Sequence, residues 1–466
     1  MWKLSTDPPP TREITSSATE GSLTHRPSHS AQPNDVTPWT AHVTLWMAAA
    51  LIGVVTSISV WLFLQGFALL HTMTLVAVGG LPSPLWWLAT ALTPALGGLL
   101  VGAGMHVLSR PTRLAPMADV IDGVATRGGR LDLQNGAAFV VCSLVSIGFG
   151  APVGADTPAA LIGGHLGSWL ALRLHWRDDF VRSLVVAGVG AGIAATYFAH
   201  FSAVFFALEV VLGGVGGSVF VIPSMIAVVA STMVTAGVGA QPPQYATPVV
   251  ADTRGPTLLV YAGAAALATI AAIAYVNLLP ITRAPWSRIM LPDWAKPALA
   301  GLLVGAVGIW LPDIFGTGLD QMNLVFGGAA VPLGLLILVA CAKLILTPNS
   351  LAGGFAGGLI GPAVLIGSWL GAAYGDVILR LFPGVEVSPV ALSMVATAAM
   401  LAATFHAPLF ATMIIFESVG DLSFLVPLTI SAALAYGTAR LFQPGSAYTF
   451  GFRRPVQGAG RRRPWT

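Results

Sequence analysis

Long apolar runs follow one another through most of the 466-residue chain. Only 9% of the residues are charged and 55% are hydrophobic, whereas a soluble domain has about 25% charged residues. Inside lipid the backbone must satisfy its own N–H and C=O groups, which favours helices for runs of this length. The sequence therefore predicts an all-α polytopic membrane protein.

The apolar runs predict helices, several of them near or below the length needed to cross a bilayer of about 30 Å. The chain is also rich in Gly (53 residues) and Pro (33 residues), which predicts broken helices and close helix packing. The predicted segments are 41–72, 84–108, 135–148, 158–173, 180–197, 199–213, 218–239, 256–281, 295–312, 332–347, 361–380, 388–404, 407–418 and 423–442.

The two ends of the chain differ from the apolar part. Residues 1–40 are polar, rich in Ser, Thr and Pro, and are predicted to be a disordered tail. Residues 453–466 form a basic tail, and its Arg content predicts a cytoplasmic C-terminus, with both termini on that side. The favoured partner of this tail is anionic lipid and not nucleic acid.

A single carboxylate, Asp156, interrupts the apolar sequence where Gly150, Pro152, Gly154 and Pro158 make an unbroken helix unfavourable. A carboxylate at the centre of a lipid-facing helix costs roughly 2.5–3.5 kcal/mol, so such residues usually face a partner or an aqueous path. A helix that begins here carries partial positive charge at its first turn. The pattern predicts an anion site beside a carboxylate that competes for it.

Two segments of the first half recur in the second half. Residues 193–209 align without gaps with residues 401–417, at an offset of 208, and share six identical residues. Residues 154–163 match residues 358–367 through a common Gly, Pro, Ala, Leu, Ile and Gly pattern, at an offset of 204. Chance similarity of Ala/Gly-rich segments is the alternative, but two ordered pairs favour duplication. Duplicated halves with interrupted helices at matching positions indicate a binding site at the repeat interface.

These residues resemble motifs of the CLC family of chloride channels and proton-coupled chloride transporters. The Gly-[Lys/Arg]-Glu-Gly-Pro motif of that family, which contains its gating Glu, is similar to Gly154-Ala155-Asp156-Thr157-Pro158. The Gly-x-Phe-x-Pro motif resembles Gly358-Leu359-Ile360-Gly361-Pro362. The Asn-Ala-Pro-Leu motif resembles His406-Ala407-Pro408-Leu409, which leads to Glu417, and the pore tyrosine would be Tyr448.

The resemblance covers roughly residues 45–452 and implies a fold of two inverted halves of tilted and broken helices. The halves would be about 41–237 and 256–442, within one transport domain at 41–452. The family also implies a homodimer with one anion path per subunit. For this chain we expect a multi-pass protein of the bacterial inner membrane.

Three departures from the family pattern concern selectivity and coupling. The family's Gly-Ser-Gly-Ile-Pro motif falls near 115–119, where Pro116 or Met117 replaces the anion-binding serine. The gate is Asp156, one methylene shorter than Glu. The proton-relay Glu that follows another Glu in the antiporters is Val210, which cannot carry a proton.

The resemblance assigns gating to Asp156, and its structural alternative is a carboxylate that caps a half-helix. Tyr448 is predicted to contact the anion through its hydroxyl, and the alternative is an interfacial aromatic residue. The other predicted anion-binding residues lie around the two helix starts and at the serine position. They are Gly154, Ala155, Leu359, Ile360, Gly361, Pro116 and Met117.

The predicted function is movement of chloride or a similar small anion, in a channel-like or weakly proton-coupled manner. A proton/anion antiporter for chloride, fluoride or nitrate and a non-transporting membrane scaffold are the alternatives. The sequence contains no phosphate-binding loop, no dinucleotide motif and no nucleophile–base arrangement, so an enzyme, a metal site and a cofactor are not expected. Cys142 and Cys341 lie in apolar runs and are interpreted as small core residues.

Overall fold

The computed structural model describes residues 39–109, 116–214, 216–239, 255–384 and 387–449. The predicted tails lie outside these ranges, apart from the first helical residues at Trp39 and Thr40. The described residues form sixteen α-helices: α1 (Trp39–Gly79), α2 (Ser83–Leu108), α3 (Pro116–Thr126), α4 (Leu133–Gly148), α5 (Asp156–Arg173), α6 (Asp178–Tyr197), α7 (Phe201–Phe206), α8 (Ser218–Gly237), α9 (Gly255–Arg288), α10 (Lys296–Gly308), α11 (Leu319–Phe326), α12 (Leu333–Gly353), α13 (Ile360–Leu381), α14 (Pro389–Phe405), α15 (Pro408–Val419) and α16 (Leu425–Phe442).

Within the described ranges, eight helical stretches are long and apolar enough to cross a bilayer by their length and composition. Several other apolar helices, among them α14 and α15, are too short to do so alone. Large apolar side chains such as Met233 and Leu441 are exposed on the outside of the helical assembly, as expected of a surface that meets lipid. The protein is therefore an integral, multi-pass α-helical membrane protein.

Equivalent helices of the two halves confirm the internal repeat. α5 and α13 begin at an offset of 204 residues, and α6 and α14 end at an offset of 208. Phe198 and His406, also 208 apart, end α6 and α14 in the left-handed region, at φ 53° and 56°. Similar composition does not explain why both helices end at a non-glycine residue in the left-handed region, a phenylalanine in one half and a histidine in the other. Duplication is therefore the better explanation.

The two halves contact each other through two glutamates in reciprocal positions. Glu417, near the end of α15, accepts hydrogen bonds from the backbone N–H groups of His200, Phe201 and Ser202 at the start of α7. Glu209, its repeat equivalent, accepts from the N–H groups of Leu409 and Phe410 at the start of α15. Each carboxylate therefore caps a helix of the opposite half, where the helix dipole favours negative charge.

Glycines allow the repeat-equivalent helices α5 and α13 to approach their neighbours closely. Where α5 crosses α6, a Cβ on Gly163 would overlap the carbonyl of Gly188, and a Cβ on Gly188 would overlap the carbonyl of Gly163. In the second half, a Cβ on Gly371 of α13 would also overlap α14, at 2.6 Å from the carbonyl oxygen of Leu392. Small residues at such crossings let helices pack through their backbones in the membrane.

The structure corrects three predictions, two about segments and one about a cysteine. The predicted span 199–213 is a short helix, α7, followed by one π-helical turn at Ala207–Leu212 that contains Glu209. The sequence pattern also missed the short helices α3 and α11, because neither lies in a long apolar run. Cys142 is buried as predicted, but Cys341 is exposed on α12, so its interpretation as a core residue is wrong.

The reciprocal caps predict that Glu417→Ala lowers thermal stability in detergent. The substitution leaves three backbone N–H groups and the Ser202 hydroxyl without their acceptor, at an expected cost of about 2–3 kcal/mol. Asp376→Ala is the control, because it removes only a surface ion pair with Arg380. A Glu417→Ala protein that unfolds at the wild-type temperature would contradict the capping role.

Candidate functional site

The starts of α5 and α13 lie side by side because the segments before them are hydrogen-bonded to each other. The N–H of Gly154 donates to the carbonyl of Gly358 (2.8 Å), and the N–H of Gly358 donates to the carbonyl of Gly154 (2.7 Å). This antiparallel exchange joins two repeat-equivalent residues. The pseudo-twofold relation of the halves therefore passes through the point where both broken helices begin.

Asp156 lies in the first turn of α5, yet its carboxylate contacts the start of α13. Oδ2 accepts from the N–H of Leu359 at 3.2 Å, and Oδ1 accepts from the N–H of Ile360 at 3.2 Å and of Gly361 at 3.5 Å. The side chain has no solvent exposure. The carboxylate thus caps the half-helix of the opposite repeat and not its own helix, whose start at Ala155 has no side-chain cap.

Two hydroxyl groups complete the surroundings of this carboxylate. The Tyr448 hydroxyl donates to Asp156 Oδ2 at 3.2 Å, and the Thr157 hydroxyl donates to the same oxygen at 3.3 Å. The two hydroxyl oxygens are 3.4 Å apart. Tyr448 is held in place by packing of its ring on Phe405 and by the bond from the Ala447 N–H to the Thr404 carbonyl.

Residues on α4 and α12 fix the segments that lead into the two helix starts. The Thr347 hydroxyl donates to the Pro152 carbonyl at 2.7 Å, and the Ala356 N–H donates to the Ser146 hydroxyl at 3.1 Å. These bonds satisfy backbone groups that a broken helix leaves unpaired inside the membrane protein. They hold the irregular backbone in one conformation without water.

The structure brings most of the predicted site residues together. Leu359, Ile360 and Gly361 donate to Asp156, and Tyr448 contacts the same carboxylate. Gly154 and Ala155 are buried next to it, but the Gly154 N–H is already bonded to Gly358. Their predicted part in binding an anion stays a prediction.

Pro116 and Met117 lie elsewhere, at the start of α3. This helix packs on α5 and on the π-helical turn that contains Glu209. Met117 is buried in the apolar core, and no hydrogen bond within the described ranges joins α3 to the Asp156 cluster. The place of these residues on an anion path stays a prediction.

Sequence reasoning missed three residues that shape the site. Thr157 was visible in the motif but its hydroxyl contact with Asp156 was not predicted. Gly358 was recognised in the repeat and in the Gly-x-Phe-x-Pro resemblance, but its contact with Asp156, whose carboxylate a Cβ there would overlap, was not predicted. Lys343 is the one charged residue of α12, and a charge within a membrane span is a signal that could have found it.

The arrangement is an amide-lined site occupied by a carboxylate. Three convergent N–H groups at a helix start, with two hydroxyl donors beside them, form a binding place for one negative charge of small size. The amides are fixed by the backbone, whereas the carboxylate is at the end of a side chain. The donors that Asp156 occupies are of the kind that bind small anions at helix starts.

Comparison with known proteins identifies the family. The model of the voltage-gated chloride channel family matches residues 97–440. The chain belongs to this family. It therefore is a CLC protein, and anion transport across the membrane is the activity of its family.

Relatives and solved structures agree with this membership. A ClcB-like chloride channel protein of Ralstonia nicotianae is 30% identical over 367 residues, which cover 78% of this chain and 85% of the relative. The voltage-gated ClC-type chloride channel ClcB of Escherichia coli (strain K12 / DH10B) is 28% identical over 378 residues, covering 77% of this chain and 85% of the relative.

Two antiporter structures share the fold. A slow cyanobacterial Cl⁻/H⁺ antiporter superposes with a TM-score of 0.77 at 22% identity, covering 87% of this CLC chain and 96% of the other. A CLC-type fluoride/proton antiporter superposes with a TM-score of 0.76 at 18% identity, covering 88% and 98% of the two chains. The predicted fold of two inverted repeats is confirmed by this likeness and by the helix positions.

The contact between Gly358 and Asp156 predicts a non-additive pair of substitutions. Gly358→Ala alone lowers thermal stability, because the new methyl group overlaps the carboxylate of Asp156. In an Asp156→Ala background the same change costs much less, since the overlapping atoms are gone. Thermal unfolding of the four proteins in detergent measures this coupling.

Gly357→Ala is the matched control for that cycle. Its Cβ would overlap Val153, which the Asp156→Ala change leaves in place. Its cost is therefore expected to be the same in both backgrounds. An equal loss of thermal stability from Gly358→Ala in both backgrounds would show that the Asp156 carboxylate does not contact Gly358.

Proposed function

We propose that this CLC protein moves chloride or a similar small inorganic anion through a path that the Asp156 carboxylate closes. The observation that carries the proposal is the carboxylate on the three amides that begin α13. Those donors, inside a membrane protein and away from water, suit a halide as well as a carboxylate oxygen. The occupied site is thus a closed state in which the protein supplies its own anion.

Opening requires the carboxylate to leave the amides. Protonation removes its charge and weakens its hold on the N–H groups, and an incoming anion can compete for the same donors. Once the side chain has turned away, the amides of Leu359, Ile360 and Gly361 and the hydroxyls of Tyr448 and Thr157 remain in place. We propose that these groups, rather than a charged side chain, contact the transported anion.

The residues next to Glu209 favour weak or absent coupling to protons. The Glu209 carboxylate accepts the backbone N–H groups at the start of α15. The following residue, Val210, has a buried hydrocarbon side chain that cannot carry a proton. We therefore favour a channel-like or uncoupled protein. The alternative of proton/anion antiport, with chloride, fluoride or nitrate as the anion, is supported by Asp156 itself, a protonatable group within the proposed path.

The family and its relatives support a proposal for the assembly and the location of the protein. We propose a homodimer with one path per subunit, in contact with membrane lipid, in the inner membrane of a bacterium with both termini in the cytoplasm. The bacterial sources of the similar ClcB proteins support the location. Pro116 and Met117 are proposed to line the inner part of the path in place of the family's serine.

Asp156→Ala is expected to increase anion efflux from liposomes and to flatten its dependence on pH. Wild-type efflux is expected to rise as the pH falls, because a protonated carboxyl group leaves the amides more readily. Chloride-selective electrode recordings at several pH values measure both effects. Asp376→Ala is the control, since this carboxylate is on the surface. A variant that keeps the wild-type pH profile would remove Asp156 from the gate.

A chloride gradient across liposomes distinguishes a channel from an antiporter. If the protein is channel-like, as Val210 suggests, chloride runs down its gradient and the external pH does not change when the membrane potential is clamped with valinomycin and potassium. Sustained proton movement against its gradient would instead establish antiport. A protein that moves no anion at all would be a scaffold.

A further inference from the structure

One acidic and one basic side chain are fully buried in the core. Within the described ranges, Asp156 and Lys343 are the only Asp, Glu, Lys or Arg residues classed as buried, each at 0% exposure. An isolated buried ion costs several kcal/mol in a protein interior. A buried acid and a buried base in one membrane domain can offset each other's charge when both are ionised.

Lys343 lies in α12 and is held by backbone carbonyls. Its Nζ donates to the carbonyl oxygens of Ile314 at 2.8 Å and Gly316 at 2.7 Å. No carboxylate of the described residues lies within ion-pair distance of it. Asp313 acts on it electrostatically from beyond that distance. The ammonium group is therefore solvated by peptide dipoles, and its positive charge is not neutralised by a contacting anion.

The carbonyls that hold Lys343 belong to a loop that lies against the proposed anion site. An ideal Cβ on Gly361 would be 2.7 Å from the carbonyl oxygen of Thr317, the residue after Gly316. Gly361 is one of the three amide donors to Asp156. Only the Gly316–Thr317 backbone thus separates the ammonium group from the first turn of α13. On the same face of α12, one turn later, Thr347 holds the segment that leads to Gly154.

Charge balance would link these two buried groups. An ionised Asp156 on the amides and a protonated Lys343 offset each other within the core. When the carboxylate is protonated or leaves, a protonated Lys343 stays in place, because two backbone carbonyls hold its Nζ. The core then has an excess of one positive charge in a medium of low dielectric constant, and that excess attracts an anion to the same amides.

We propose that Lys343 is the countercharge of the anion site, a fixed cation that sets the affinity of the α13 amides for a transported anion. The inference rests on the proposed anion path and adds a residue to it. Lys343 does not touch the anion and acts through the Gly316–Thr317 loop and the field at Gly361. It is therefore a positioning and affinity-determining residue.

The test measures binding of inorganic chloride by titration calorimetry in detergent. Asp156→Asn serves as the reference, because it removes the competing negative charge. Adding Lys343→Gln removes the cation but keeps N–H donors for the carbonyls of Ile314 and Gly316. We expect the chloride Kd to rise by about 10-fold, the order expected from removing one buried charge near the site. Lys296→Gln in the same background is the control, because Lys296 pairs with the exposed Asp293, and should leave the Kd unchanged.

Lys343→Met in the same Asp156→Asn background provides a second measurement. It removes the positive charge with an unbranched side chain of similar length, so chloride is expected to bind about as weakly as in Lys343→Gln. Lys343→Arg, which keeps the charge, is expected to bind chloride better than Lys343→Gln. This rescue separates the charge from simple filling of space.

Each outcome bears on a different conclusion. An Asp156→Asn protein that binds no chloride would overturn the proposed function itself. If it binds chloride, and Lys343→Gln binds equally tightly, the countercharge role is refuted while the anion path stands. Should Lys343→Gln fail to fold, a folded Lys343→Met protein with an unchanged chloride Kd would refute the role in the same way.

Discussion

The structure depends on a carboxylate that satisfies the backbone of a helix to which it does not belong. A helix that begins in the core of a membrane protein leaves N–H groups that neither water nor lipid can satisfy. Asp156 of the first repeat supplies the acceptor for the start of α13 in the second. The same bonds stabilise a charged side chain that would otherwise be expensive to bury. The amides and the carboxylate therefore stabilise each other in the core, and under the proposed function a transported anion would take the place of the carboxylate.

Space around this bond is set by glycines and by side chains far away in sequence. Gly358 leaves the volume that the carboxylate fills, and Tyr448 approaches from the last described segment of the chain. Lys343 and Thr347, one turn apart on α12, hold the loops on either side. The site is therefore assembled from at least four parts of the chain that only the complete fold brings together.

The sequence was sufficient to predict the spans, the two helix breaks and their repeat relation, because Gly and Pro placement and apolar run length act locally. Resemblance to a family added Tyr448, which no local pattern marks. The helix that Asp156 caps could not be predicted, since a carboxylate in a first turn can accept N–H groups of its own helix or of a neighbouring one. Reciprocal capping by Glu209 and Glu417 was beyond reach for the same reason: the acceptor and its donors are about 200 residues apart.

The reciprocal glutamates and the Gly154–Gly358 exchange have a consequence for motion. These hydrogen bonds connect the two repeats at three places. Rocking one half against the other would therefore break bonds at all three. Many transporters with inverted repeats alternate access by such rocking. The bonds between the repeats oppose such rocking here, so the proposed path would open through a smaller displacement, that of the Asp156 side chain.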